Sequence, residues 1–149
     1  MEIVGGSCRF GLWFVHVRWN DTSVHQVRFA TAVIPGEVPR LIRQYCAGQV
    51  VSPERLDSIA IHEDTVYSRI YQAVRQVPYG STSTYGEIAS IVRTVPRVVG
   101  QAMARNPTPL VIPCHRILAV HGLGGFSPDV EIKEALLAME KKGLRKVKR

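Results

Sequence analysis

Residues 106–118, Asn-Pro-Thr-Pro-Leu-Val-Ile-Pro-Cys-His-Arg-Ile-Leu, constrain the fold more than any other stretch. Pro107, Pro109 and Pro113 each remove a backbone donor and clash with a preceding helical turn, so the segment is too proline-rich for a helix. Yet Leu110, Val111 and Ile112 precede the polar triplet Cys114, His115 and Arg116, and Ile117 and Leu118 follow it. An apolar run of this kind carries the triplet indoors. Buried polar side chains without partners cost on the order of 1–3 kcal/mol each, so a network that satisfies them is expected, with Asn106 as a further member. A cysteine in an apolar run is usually a small hydrophobe. A Cys-His pair with a third, orienting group is the pattern of an activated nucleophile. Sequence neighbours point in different directions, so His115 is expected to reach the Cys114 sulfur through a bridging water.

The remaining composition narrows the class. A chain of 149 residues fits one compact unit or a small lobe fused to a larger one, and it can bury roughly 70% of its unfolded surface. No apolar run approaches the roughly 20 residues of a membrane span. Glu2 stands where a signal peptide would be basic, and Gly11, His16 and Arg18 interrupt the apolar stretch after it, so a cytoplasmic protein is expected. Three cysteines, Cys8, Cys46 and Cys114, argue for free thiols rather than a disulfide framework. Cys8, His16, His25, Cys46 and His62 show no CxxC or HxxxH spacing, and no metal is expected.

The net charge is +7, unevenly spread: residues 1–62 carry a net of +1 and residues 63–149 a net of +6. Lys141, Lys142, Arg145, Lys146, Lys148 and Arg149 account for that excess. Such a tail is either a nucleic-acid arm or a solubilising end, and charge alone does not choose.

Along the chain, "RFGLWFVHVRW" and "SVHQVRF" are rich in β-branched and aromatic residues and flank the turn cluster Asn20-Asp21-Thr22, which predicts a hairpin. "VPRLIRQYCAG" predicts a short helix ending at Gly48. Residues 1–62 thus read as a small α/β lobe, and residues 63–149 as a second, mainly helical unit. From Glu63 to Gln76, apolar residues recur at helical spacing up to the stop at Pro78-Tyr79-Gly80. Thr84 and Glu87 form a capping box that opens the helix "YGEIASIV". Pro96 suits the first turn of the helix "PRVVGQAMAR". Two short helices around a tight turn, with Arg97 near the start of the second, suggest a helix-turn-helix, although any helical hairpin has this pattern. "HGLGGF" predicts a loop. Ser127, Pro128 and Asp129 then predict the start of a last helix that Gly143 ends. On the residues alone, a non-catalytic helix-turn-helix regulator and a Cys-His hydrolase both stay open.

"NPTPLVIPCHRI", the glycine-rich "GLGGF" and "EIKEALLAME" together resemble the O6-alkylguanine-DNA alkyltransferases, whose hallmark is a Pro-Cys-His-Arg-Val core. "VPYGSTSTYGEIA" is similar to that family's entry into its helix-turn-helix, and "RVVGQAMARNP" to its recognition helix and asparagine hinge. The resemblance covers roughly residues 63–143. It implies a degenerate RNase-H-like fold for the N-terminal lobe and a winged-helix-like C-terminal domain. It also implies a monomer that flips O6-alkylguanine out of double-stranded DNA and accepts the alkyl group once, without cofactor or membrane. By the same resemblance, Cys114 is the acceptor, His115 the base acting through water, and Glu140 the carboxylate holding His115. Asn106 is the hinge, and Tyr85 assists departure of guanine and turns the phosphate. Arg97 fills the vacated stack, Met103 and Pro109 line the pocket, and Ser127 contacts the base oxygen. This chain departs from the family at Phe126, where Tyr is common, and at Pro128-Asp129, where glycines are frequent.

Overall fold

The computed structural model describes residues 1–126 and 128–147. The N-terminal region is a three-stranded antiparallel meander of β1 (Val4–Phe10), β2 (Trp13–Trp19) and β3 (Val24–Ala30). The predicted hairpin around residues 20–22 is present, and Asn20 builds its turn by accepting from the backbone of Thr22 and Ser23. The run "RFGLWFVHVRW" is two strands rather than one. Phe10 pairs with Trp13 across a turn in which Gly11 has φ +57°, and the apolar Leu12 at the tip is left in solvent. A side chain at that tip has nothing to pack on, so its hydrophobicity misreads as strand.

Helix α1 (Arg40–Cys46) packs on β1, and Ile42 and Tyr45 are wholly buried. Three helices follow: α2 (Val66–Arg75), α3 (Tyr85–Val92) and α4 (Pro96–Ala104). Helix α2 starts at Val66, three residues after Glu63, because the Thr65 side chain caps it by accepting from the Ser68 backbone N–H. The Thr84 side chain caps α3 by accepting from the Glu87 N–H, the Glu87 carboxylate accepts in return from the Thr84 hydroxyl, and Pro96 opens α4. Arg93, with φ +62°, makes the turn between α3 and α4.

Two short strands, β4 (Ser83–Thr84) and β5 (Ile117–Leu118), pair in parallel. They tie the entry of α3 to the residues just after Cys114-His115-Arg116. Helix α5 (Val130–Val147) closes the chain. Asp129 starts it, accepting from the Glu131 backbone through its carboxylate and from Ile132 through its carbonyl. Ser127, expected as the cap, lies outside the described residues. Gly143 does not end α5. It sits mid-helix because a Cβ there would lie 2.5 Å from the Tyr79 hydroxyl, so packing fixes glycine in place of a C-cap role. Glu140 is therefore an interior helix residue, two turns from the end.

Two hydrophobic cores form. One holds Phe10, Val15, Val17, Val27 and Phe29 of the sheet with Ile42 and Tyr45 of α1, and it takes in Leu110, Val111, Ile132 and Leu136. The other joins Ile70, Tyr71, Val74, Ile88, Val99 and Ala102 of the helices to Ile112 and Ile117. The proline-bounded segment thus feeds Leu110 and Val111 to one core and Ile112 and Ile117 to the other. Cys114, His115 and Arg116 lie on the seam. Backbone bonds cross it as well, since the Val27 N–H donates to the Pro107 carbonyl at 2.9 Å.

Candidate active site

The segment's own bonds shape the site. Asn106 closes its loop by donating from Nδ2 to the Ile112 carbonyl at 2.9 Å and accepting on Oδ1 from the Thr108 N–H at 3.0 Å. Leu110 is turned to φ +76°, a conformation unfavourable for a leucine, and is held there wholly buried in the sheet core. The chain then enters a 3-10 turn over Cys114–Arg116, where the Cys114 N–H donates to the Ile112 carbonyl at 2.7 Å.

Behind the cysteine lies a network without solvent access. Glu140 accepts from His115 Nε2 at 2.6 Å, the Tyr45 hydroxyl at 2.5 Å, the Gly80 backbone N–H at 2.9 Å, and Arg116 Nε and Nη2 at 3.0 Å each. Arg116 also donates to the Val77 carbonyl and Glu54, and its guanidinium lies 5.7 Å from the centre of the Tyr79 ring. Burial alone would raise the Glu140 carboxyl. The hydrogen bonds and charges of His115 and Arg116 outweigh it and bring the value to about 2. Burial holds His115 below its ordinary value, so at neutral pH the imidazole is neutral and the standing cation of the network is Arg116. The network assigns the imidazole proton to Nε2, facing the carboxylate. Nδ1 is left as a buried lone pair without a partner among the described residues. Burial and the Glu140 charge push the Tyr45 hydroxyl well up, which keeps it a donor.

Burial also raises the Cys114 thiol. The Asn106 side chain, the Lys133 charge and the backbone N–H groups of Cys114 and His115 work against it without reversing the direction. The imidazole does not lower it. Cys114 therefore rests as a thiol and ionises only when its proton is removed. Lys133 is itself wholly buried on α5 and donates to the Ile117 carbonyl at 2.7 Å, 16 residues back along the chain.

Cys114 opens on a cleft of about 660 Å³. Tyr85, Met103, Asn106 and Pro109 line it with the cysteine, as do Gln26 and Arg28 from β3. Gly124 brings the "HGLGGF" loop against Tyr85: with φ +75°, a Cβ there would lie 2.7 Å from the Tyr85 hydroxyl. Phe126 lines the cleft and packs edge-on against Phe29 at 5.7 Å between ring centres. His115 and Glu140 stand behind Cys114 rather than in the cleft wall. Arg97 is exposed on the first turn of α4 and is not among the lining residues.

Tyr45, Gln26, Arg28 and Lys133 were not singled out from the sequence. Lys133 carried a signal, because Ile132, Lys133, Leu136 and Glu140 share the buried side of α5, and two charges on such a stripe mark a site. Tyr45 carried none, lying 70 residues from His115 in the chain. Among the described residues no group of three His, Cys, Asp or Glu side chains could hold a metal, and no described helix is long and apolar enough to cross a membrane.

The family described as 6-O-methylguanine DNA methyltransferase, DNA binding domain, matches residues 65–142. The chain belongs to this family. Its relatives include the methylated-DNA–protein-cysteine methyltransferase of Sulfolobus acidocaldarius, 50% identical over 72 residues that make up 48% of this chain and 46% of that one. The protein of the same name from Thermococcus sibiricus is 34% identical over 106 residues, 70% of this chain and 61% of that one. The chain thus spans about half the length of the first of these relatives. Among solved structures, the Mycobacterium tuberculosis O6-methylguanine methyltransferase has the same fold, with a TM-score of 0.73 at 23% identity over 95% of this chain and 94% of that one. The small N-terminal sheet and the helical C-terminal region are thus the fold of this family.

Proposed function

We propose that this chain repairs double-stranded DNA by flipping out an O6-alkylguanine and transferring the alkyl group irreversibly to its own Cys114. The observation that carries this reading is a thiol at the wall of a cleft large enough for a base, backed by a buried His115–Glu140 pair whose free nitrogen is Nδ1. An alkyl group on guanine O6 lies on the base-pairing edge, so a buried sulfur reaches it only after the nucleotide leaves the stack. The thiol proton passes through a water to Nδ1, and Glu140 with Arg116 behind it stabilises the imidazolium that forms. The sulfur then bonds the alkyl carbon, the carbon–O6 bond breaks, and its electron pair returns to guanine, which recovers a proton. No described group in the site is suited to cleave the resulting thioether. Each molecule acts once, as a methylated-DNA–protein-cysteine methyltransferase without cofactor.

In this reading Asn106 holds the hinge, Tyr85 assists departure of guanine and turns the phosphate, and Met103 lines the pocket. Ser127 contacts the base oxygen, and Arg97, free on its helix surface, fills the gap left by the flipped nucleotide. Residues 1–62 are a degenerate RNase-H-like lobe, and residues 63–149 a winged-helix-like DNA-binding and transfer domain. The division is one of roles, since the cores cross it. The protein works as a monomer in the cytoplasm. The test is incubation with duplex DNA containing O6-methylguanine, followed by peptide mass mapping. One methyl per chain on the Cys114 peptide, absent from Cys114→Ser, is expected. Release of guanine over many turnovers, or methyl on another residue, would overturn the proposal.

A further inference from the structure

One buried carboxylate plays no part in the transfer steps above. Glu54 sits in the 3-10 turn Pro53–Arg55, and its side chain is only 12% exposed. Arg75, in the last turn of α2, fixes that turn by donating to the Glu54 and Leu56 backbone carbonyls. Glu54 meets Arg116 Nη1 through Oε1 at 3.3 Å, a long contact, while Oε2 is buried without a partner among the described residues. Nη1 does not depend on it, because it also donates to the Val77 carbonyl at 2.9 Å. A buried carboxylate with half its acceptors unmet does little for stability, so what this position supplies is charge.

Arg116 holds Glu140 in place but also cancels its charge, so an imidazolium beside that pair alone would be an uncompensated buried cation. We infer that Glu54 is a positioning residue for the transfer: as a second carboxylate on Arg116 it leaves the buried cluster with an excess negative charge, which the proton that His115 takes from Cys114 neutralises. This role rests on the transfer reading above. The electrons of the S–H bond stay on sulfur and the proton joins the Nδ1 lone pair, so atoms and charge balance. Afterwards the cations His115 and Arg116 face the anions Glu140 and Glu54.

The other titratable groups on the cluster fit this division. Glu140 comes from α5, Tyr45 from α1 and Tyr79 from the turn after α2, and burial and the Glu140 charge push both phenols up, which keeps them neutral. Burial lowers the His115 imidazole most, the Glu140 hydrogen bond and charge raise it, Arg116 opposes them, and the Glu54 charge answers Arg116. From α5, the wholly buried Lys133 sets positive charge against Cys114. A proton that moves from sulfur to Nδ1 therefore leaves negative charge on the side of the lysine and brings positive charge to the side of the two carboxylates.

The test is single-turnover methylation of Cys114 by excess duplex DNA containing O6-methylguanine, followed across pH in the wild type and Glu54→Gln. The amide keeps the shape and an acceptor for Arg116 but not the charge. Transfer by Glu54→Gln should be roughly tenfold slower at neutral pH, as for a base weakened by about one pKa unit, with DNA affinity unchanged. Its acid limb should move to lower pH, because the imidazole gives up its proton more readily, and the deficit should shrink at alkaline pH, where Cys114 ionises without help. Glu54→Asp, which keeps the charge, should recover most of the rate. Glu54→Met removes the charge and the unmet oxygen together, and it serves where the amide folds poorly. Charge-free variants with the wild-type rate and acid limb, or with a slower rate and an unmoved pH profile, would overturn this role and leave the transfer reading intact. A wild type that gains no methyl on Cys114 would overturn both.

Discussion

The sheet core and the seam beneath Cys114 are comparably dry but are held by opposite means. The sheet core of Val15, Val17, Val27 and Ile42 is apolar, and its pairing register is fixed by side-chain alternation. The seam buries Arg116, Lys133 and Glu140 completely. Apolar packing tolerates local repacking and is indifferent to pH. A buried charge network gains little over an apolar equivalent, yet it fails badly when one member is removed, because the partner is left charged and unsolvated. The difference teaches that the seam around His115 is held by electrostatic pairing and not by apolar fit. It also teaches that the sheet half reaches the Glu140 carboxylate through one neutral donor, Tyr45.

The largest break in this contrast is Arg116→Ala, which strands Glu140 without its permanent counter-charge. A loss of about 3–5 kcal/mol is expected from chemical denaturation. A loss near that of an exposed arginine would mean that the guanidinium is dispensable to the network.

Acid attacks the same seam without mutation. Glu140 is held from its ordinary 4.5 to about 2, so its contribution is full above 4.5 and disappears as pH falls toward 2. His115 is held below 6.5, so the unfolded chain binds its proton first and stability already declines as pH drops below that value. Melting temperature should therefore fall in two stages, one beginning near 6.5 and one below 4.5. A flat profile from pH 7 to pH 3 would contradict the network.

Tyr45→Phe removes one donor to the Glu140 carboxylate while keeping the ring in the sheet core. About 1.5–3 kcal/mol is expected, the range for hydrogen bonds to a charged group. The acid limb of the rate of Cys114 modification by methylated DNA should also move, because His115 faces the same oxygen. An unchanged pH profile would confine Tyr45 to packing and separate the two halves more sharply than the geometry implies.

The smallest effect on stability belongs to Arg97→Ala, within about 0.5 kcal/mol for an exposed side chain. Repair in duplex DNA should slow more than reaction with free O6-alkylguanine, since only the duplex has a stack to fill. Equal slowing on both substrates would place Arg97 in support of the pocket instead.

The sequence by itself determined what local chemistry enforces. The Thr84–Glu87 capping box, Pro96 at a helix start, the Asn20 turn and the prolines that keep residues 106–113 out of a helix all act over a few positions. Motif order within residues 63–143 was legible for the same reason, as was the burial of Cys114, His115 and Arg116 together in one apolar run. Gly11 and Gly143 show where local reading stops. Both are glycines beside apolar residues, yet one makes a turn and the other packs a helix against Tyr79, a distinction set by neighbours remote in sequence. The thiol's rise above its ordinary value, the neutral His115, the free Nδ1 and the presence of Tyr45 were decided by the tertiary structure alone. Each depends on desolvation and on the distance between groups that the chain brings together only when two cores close over one segment.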